Sequence, residues 1–114
     1  MITIYHNPRC RKSRAGLALL QEMKVEHIVV DHIRNPLSPG EIDVLLQKLN
    51  IRAEDLVRSQ EELYRKTLKG RRFNHEEWLH ILSENPRLIR RPIIVREHRA
   101  VIADPPENAL PLLQ

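Results

Sequence analysis

The residue most able to do chemistry is Cys10, the only cysteine in the chain. It stands in Tyr5-His6-Asn7-Pro8-Arg9-Cys10-Arg11-Lys12-Ser13-Arg14, where four basic side chains (Arg9, Arg11, Lys12 and Arg14) lie within four residues of the thiol. Nearby cations and the unpaired N–H groups of a helix N-terminus favour thiolate over thiol, and such settings lower a cysteine pKa from about 8.5 to roughly 3.5–7.5. His6 offers a further donor to the sulfur, and the same donors and charges attract an oxyanion to it. A small buried structural cysteine is the competing reading. It fits less well, because charge crowds this loop and burying it would be costly.

Cys10-x-x-Ser13 is a monothiol version of the Cys-x-x-Cys redox turn. Once Cys10 forms an adduct or a mixed disulfide, no second thiol of this chain can resolve it, so a partner thiol must. The Cys-x₅-Arg loop that wraps an oxyanion in tyrosine-phosphatase-like sites is absent, since Gly16 occupies the arginine's place. The histidines besides His6 (His27, His32, His75, His80 and His98) do not suggest a metal site. His75 and His80 are five residues apart, about 500° around a helix, and share no face. Surface or turn positions are expected for them, and core packing for Trp78.

The elements that must position Cys10 follow from pattern. Ile2-Thr3-Ile4-Tyr5 reads as a strand stopped by His6-Asn7-Pro8. From about Lys12 to Met23, Gly16, Leu19, Leu20 and Met23 form a helical stripe, so Cys10 lies in the loop feeding that helix. A second strand at His27-Ile28-Val29-Val30, ending at Asp31, completes a βαβ unit with parallel strands. Ser38-Pro39-Gly40-Glu41 writes a capping box before Ile42, Leu45, Leu46 and Leu49. Ser59 with Glu62, and Asn74 with Glu77 before Trp78, Ile81 and Leu82, repeat the cap signature, and Pro86 closes the helical section. Ile93-Ile94-Val95 and Ala100-Val101-Ile102-Ala103 predict an antiparallel hairpin. Asp104 is expected to cap a short C-terminal helix around Leu110. The order gives an α/β chain: a thioredoxin-like mixed four-stranded sheet with an inserted helical segment.

The chain has 114 residues, 41% apolar and 30% charged, which bounds it to one folded domain. No run of some 18 apolar residues suggests a membrane span, and the basic cluster follows the first apolar run, the reverse of a signal peptide, so a cytoplasmic location is expected. Net charge +4 and pI near 9.6 suit an anionic partner. Nucleic acid is not expected, because aromatics are 4% and no groove-reading motif is present.

Together these residues resemble the glutaredoxin-coupled arsenate reductase family, ArsC, and its Spx-type relatives, over residues 1–114. The likeness rests on Ile-Thr-Ile-Tyr-His-Asn-Pro-x-Cys with Ser13-Arg14, on Asn35-Pro36, on Leu56-Val57-Arg58 and on Arg91-Pro92-Ile93-Ile94-Val95. It implies that the Cys10 thiolate, assisted by His6, attacks arsenate. Glutathione, a co-substrate rather than a bound cofactor, then displaces the arsenic as arsenite, and glutaredoxin recycles the mixed disulfide. It also implies that Arg58 and Arg91 hold the oxyanion, with Ser13 and Arg14 beside it and Pro92 as a cis-proline facing the cysteine. Guanidinium groups suit that role as planar, always-charged donor pairs. Where the family brings a third arginine, this chain has Asp104, which favours a second reading: a glutathione-dependent thiol oxidoreductase acting on another substrate. A third, an Spx-like regulator that binds RNA polymerase, is weakened by Ser13, which removes the internal disulfide of such a switch.

Overall fold

The computed structural model describes residues 1–114, which divide into two compact units: Met1–Asn35 with Arg91–Gln114, and Pro36–Arg90. The first holds the whole sheet. Strands β1 (Ile2–His6), β2 (His27–Asp31), β3 (Ile93–Arg96) and β4 (Arg99–Ile102) lie in the order β2-β1-β3-β4. β1 and β2 are parallel with Ile2 opposite His27 and His6 opposite Asp31. A right-handed crossover through helix α1 (Arg11–Glu22) is the expected way to join two such strands. β3 runs antiparallel to both β1 and β4, with Tyr5 opposite Ile93 and Ile93 opposite Ile102.

The sheet is mixed because of how its strands are joined, and this gathers chemistry at one end. His6 closes β1, Asp31 closes β2, and Arg91-Pro92 opens β3, all at the same edge of the strands. Beneath them Ile2, Ile4, Leu20, Ile94, Ala103, Ala109 and Leu112 form the core of this unit. On α1 only Ser13, Gly16 and Leu20 are buried; Met23, expected on the apolar stripe, is 39% exposed. The helix ends before it, at Glu22.

In the second unit, α2 (Pro39–Leu49) opens with the predicted capping box: Ser38 accepts from the Glu41 N–H, and Glu41 returns a bond to the Ser38 N–H. α3 (His75–Glu84) opens the same way from Asn74 and Glu77 and buries Trp78, Leu79 and Leu82. Trp78 packs edge-on against Phe73, ring centroids 4.9 Å apart. The cap expected at Ser59 does not form. Glu62, which would have turned back onto Ser59, instead pairs with Lys66 at 2.6 Å, and the segment winds as a π-helical turn, Tyr64–Leu68. No helix of the chain is long and apolar enough to cross a membrane.

Candidate active site

Between His6 and α1 the chain makes a tight loop, fixed from inside. The Cys10 N–H donates to the Asn7 carbonyl at 3.0 Å, and the Asn7 side chain accepts from the Arg9 N–H at 3.0 Å. Ser13 is fully buried, and its Oγ accepts the Asn7 N–H at 3.1 Å. Arg14 reaches back to donate to the Pro8 carbonyl at 3.0 Å. Ser13 and Arg14, expected to line the substrate, thus brace the loop with their side chains.

Cys10 sits at the N-cap of α1 in an extended conformation and is 9% exposed. Burial alone would push its thiol up. The Ser13 N–H, a hydrogen bond from the Arg91 side chain, the Lys12 N–H and the Arg91 charge together outweigh burial and hold the thiol below its ordinary value. The Ser13 and Lys12 N–H groups and the Arg91 side chain thus act on one sulfur. The lowering has two sources: the open N-terminus of α1 and one buried guanidinium.

Arg91, 6% exposed, is joined to Pro92 by a cis bond, as the sequence resemblance implied. Pro92 is pinned on both sides. Its carbonyl accepts the Ala103 N–H at 2.9 Å, and its ring lies so close to α1 that a Cβ added at Gly16 would stand 2.6 Å from Pro92 Cγ. Gly16, read from sequence as part of the helical stripe and as the residue replacing an arginine, is where helix and proline meet.

His6 is buried, 5% exposed, at the end of β1. Burial lowers its pKa; a hydrogen bond with the Ser13 main chain and the charge of Asp31 pull the other way, and Arg14 adds to the lowering. Its ring meets the same Ser13 main chain whose N–H faces the sulfur, and it is not among the groups that act on the Cys10 thiol directly.

Two placements depart from the sequence expectations, those of His32 and Asp104. His32, expected in a surface or turn role, is completely buried just past β2, and neither ring nitrogen meets a well-formed hydrogen bond. Burial first, then the charge of Arg91, holds it down to about 4, so it is neutral at pH 7. Its place follows from the pairing of His6 with Asp31, a long-range register no local pattern announces. Asp104 does not cap a helix: the following 3₁₀ turn, Pro106–Ala109, takes Pro105 at its N-cap. Asp104 instead pairs with Lys12 at 3.0 Å. Arg58 belongs to the second unit and opens no helix. Its N–H donates to the Leu88 carbonyl at 2.6 Å, beside the Val57–Ile89 bridge, and its guanidinium pairs with Glu61. No group of three or more His, Cys, Asp or Glu side chains is gathered where it could hold a metal ion.

A mixed sheet of this order, with a lone cysteine at the N-terminus of the helix that follows β1, defines a thiol protein of thioredoxin-like fold. Residues 5–111 match the family model described as the ArsC family. Over 114 residues the chain is 38% identical to the uncharacterized protein YfgD of Escherichia coli (98% of this chain, 96% of the relative). It is 34% identical to an arsenate reductase of Haemophilus influenzae, covering 98% of each. Among solved structures, arsenate reductase from Vibrio cholerae superposes with a TM-score of 0.91 at 34% identity, covering 96% of this chain and 95% of that one. The chain belongs to the ArsC family.

Proposed function

We propose that the chain is an arsenate reductase-like oxidoreductase whose nucleophile is the Cys10 thiolate. The observation that carries this is the convergence of the Ser13 and Lys12 N–H groups and the Arg91 side chain on one sulfur, which both favours its ionisation and presents donors to an incoming oxyanion. The Cys10 sulfur bonds to arsenic and one oxygen leaves as water, its protons drawn from solvent. An external thiol then bonds to Cys10 Sγ. The S–As bond breaks with its electron pair on arsenic, which leaves as arsenite, reduced from As(V) to As(III), while the two sulfurs are oxidised to a mixed disulfide. Glutathione is the proposed thiol and glutaredoxin the proposed recycling partner, in keeping with a chain that carries one cysteine. His6 and Arg91 are proposed to serve the site; a role for Arg58 rests on family membership alone.

The test is purified protein with arsenate, glutathione, glutaredoxin, glutathione reductase and NADPH, followed by NADPH oxidation against Cys10→Ser. Arsenate-dependent oxidation that Cys10→Ser abolishes supports the reading; none in the native protein overturns it. A second reading, the same thiol chemistry on another substrate, draws on Asp104, whose carboxylate stands on Lys12 where the family offers a cation.

A further inference from the structure

Cys10 has no internal thiol to resolve it, so a second molecule must bring one to its sulfur. What that molecule meets on arrival is set by the rim of the loop. Lys12 is two residues past Cys10, and its main-chain N–H faces the sulfur. Its ammonium reaches across to Asp104 at 3.0 Å. Asp104 is held there by its neighbours: Ala103 donates to the Pro92 carbonyl, and Pro92 follows the Arg91 that hydrogen-bonds the sulfur. The pair is therefore built into the same end of the sheet as the nucleophile. Both partners stay open to solvent, with side chains 49% and 31% exposed.

An ammonium has three donors and a carboxylate two oxygens, so one contact leaves each able to bind more. The loop is otherwise basic, and Arg14 is engaged with Pro8. A plain oxyanion arriving here gains from Lys12 and is opposed by Asp104. A molecule carrying both an ammonium and a carboxylate on one carbon gains from both, closing a ring of alternating charges. We propose that Lys12 and Asp104 select the resolving thiol, recognising the α-amino-α-carboxylate head of a small zwitterionic thiol as it approaches Cys10. The inference rests on the reading of Cys10 as a monothiol nucleophile but not on arsenate.

The test therefore contains no arsenic. Cys10 is converted to its mixed disulfide with 2-nitro-5-thiobenzoate. An added thiolate then bonds to Cys10 Sγ, the existing S–S bond breaks, and the aromatic thiolate leaves with the electron pair, read by its absorbance. Cysteine, cysteamine, 3-mercaptopropionate and 2-mercaptoethanol are compared, each rate divided by that on a short cysteine peptide bearing the same label, which removes differences in thiol basicity. The native protein should prefer cysteine. Asp104→Asn should erase that preference by roughly two- to fivefold, the scale of an exposed ion pair, and speed 3-mercaptopropionate. Lys12→Gln should slow 3-mercaptopropionate and speed cysteamine, and Asp104→Glu should keep the native order. Identical rate ratios in the native protein, Asp104→Asn and Lys12→Gln would overturn the inference, even in an enzyme that turns over arsenate. Selectivity in a protein inert to arsenate would uphold it and sink the arsenate reading instead.

Discussion

Replacing Gly16 by alanine tests the packing that presents Arg91 to Cys10. The new Cβ would lie 2.6 Å from Pro92 Cγ, 3.4 Å from Pro92 Cβ and 3.8 Å from Ile4 Cδ1. A carbon–carbon contact wants about 3.5–4.0 Å, so the proline ring must retreat by about 1 Å or α1 must lift off the sheet. Neither is free to move, since Pro92 is fully buried and its carbonyl holds the Ala103 N–H. Overpacking of this kind costs about 1–3 kcal/mol, while alanine in a helix interior returns about 1 kcal/mol over glycine. The expected net loss is up to about 2 kcal/mol, or a fall in melting temperature of up to about 10 °C for a chain of this size. Displacing Pro92 also displaces Arg91, so the pH profile of Cys10 alkylation by iodoacetamide should move to higher pH. Gly40→Ala is the control: at the start of α2 its Cβ would meet only Ser38 Oγ, at 4.0 Å, so stability should hold or rise. A Gly16→Ala protein that is more stable than the native one, with an unmoved alkylation profile, would refute the reasoning.

Arg91→Gln should shift Cys10 alkylation to higher pH with Arg91→Lys in between, because the side chain both hydrogen-bonds and charges the site; identical profiles would remove Arg91 from the thiolate's support. Ser13→Ala deprives the Asn7 N–H of its acceptor and should cost about 1–3 kcal/mol in denaturant unfolding. His32, held at about 4 when folded against 6.5 when exposed, binds its proton more tightly in the unfolded chain. Stability should therefore be full above pH 6.5 and fall as pH drops from 6.5 toward 4, by at most about 3 kcal/mol from this residue. His32→Phe should flatten that part of the stability profile measured by urea titration. Leu82→Ala, at a fully buried position of α3, should cost about 2–5 kcal/mol by the same measurement.

The features legible in the sequence are those whose cause is local. The boxes at Ser38 and Asn74 each close over four residues and form as written. The βαβ start and the β3–β4 hairpin follow from short apolar runs and their spacing. The misreadings share a cause as well. Glu62 and Asp104 both carried cap-like contexts, and both pair with a lysine instead, one a helical turn along and the other ninety-two positions distant in the chain. His32 is buried by strand register rather than by any property of its neighbours in sequence. At the site, the helix N-terminus behind Cys10 was legible in the sequence and its N–H groups do lower the thiol's pKa, but the charge that acts on the sulfur comes from none of the basic residues crowded around it. Arg91, eighty-one positions away, hydrogen-bonds the sulfur, while Arg14, four positions away, holds the loop.

The buried hydroxyl of Ser13 has a consequence for what this protein can become. At the position where a dithiol relative would keep its second sulfur, the Oγ is sealed from solvent and accepts the Asn7 N–H that shapes the loop. A thiol there would be a larger atom and a poorer acceptor, so a single change to cysteine would loosen the turn that presents Cys10. Self-sufficiency in redox chemistry is thus separated from this chain by a structural step as well as a chemical one. On the proposed function, each oxidation of Cys10 is addressed outward, and the oxidation state of the protein at any moment would record the thiols available around it.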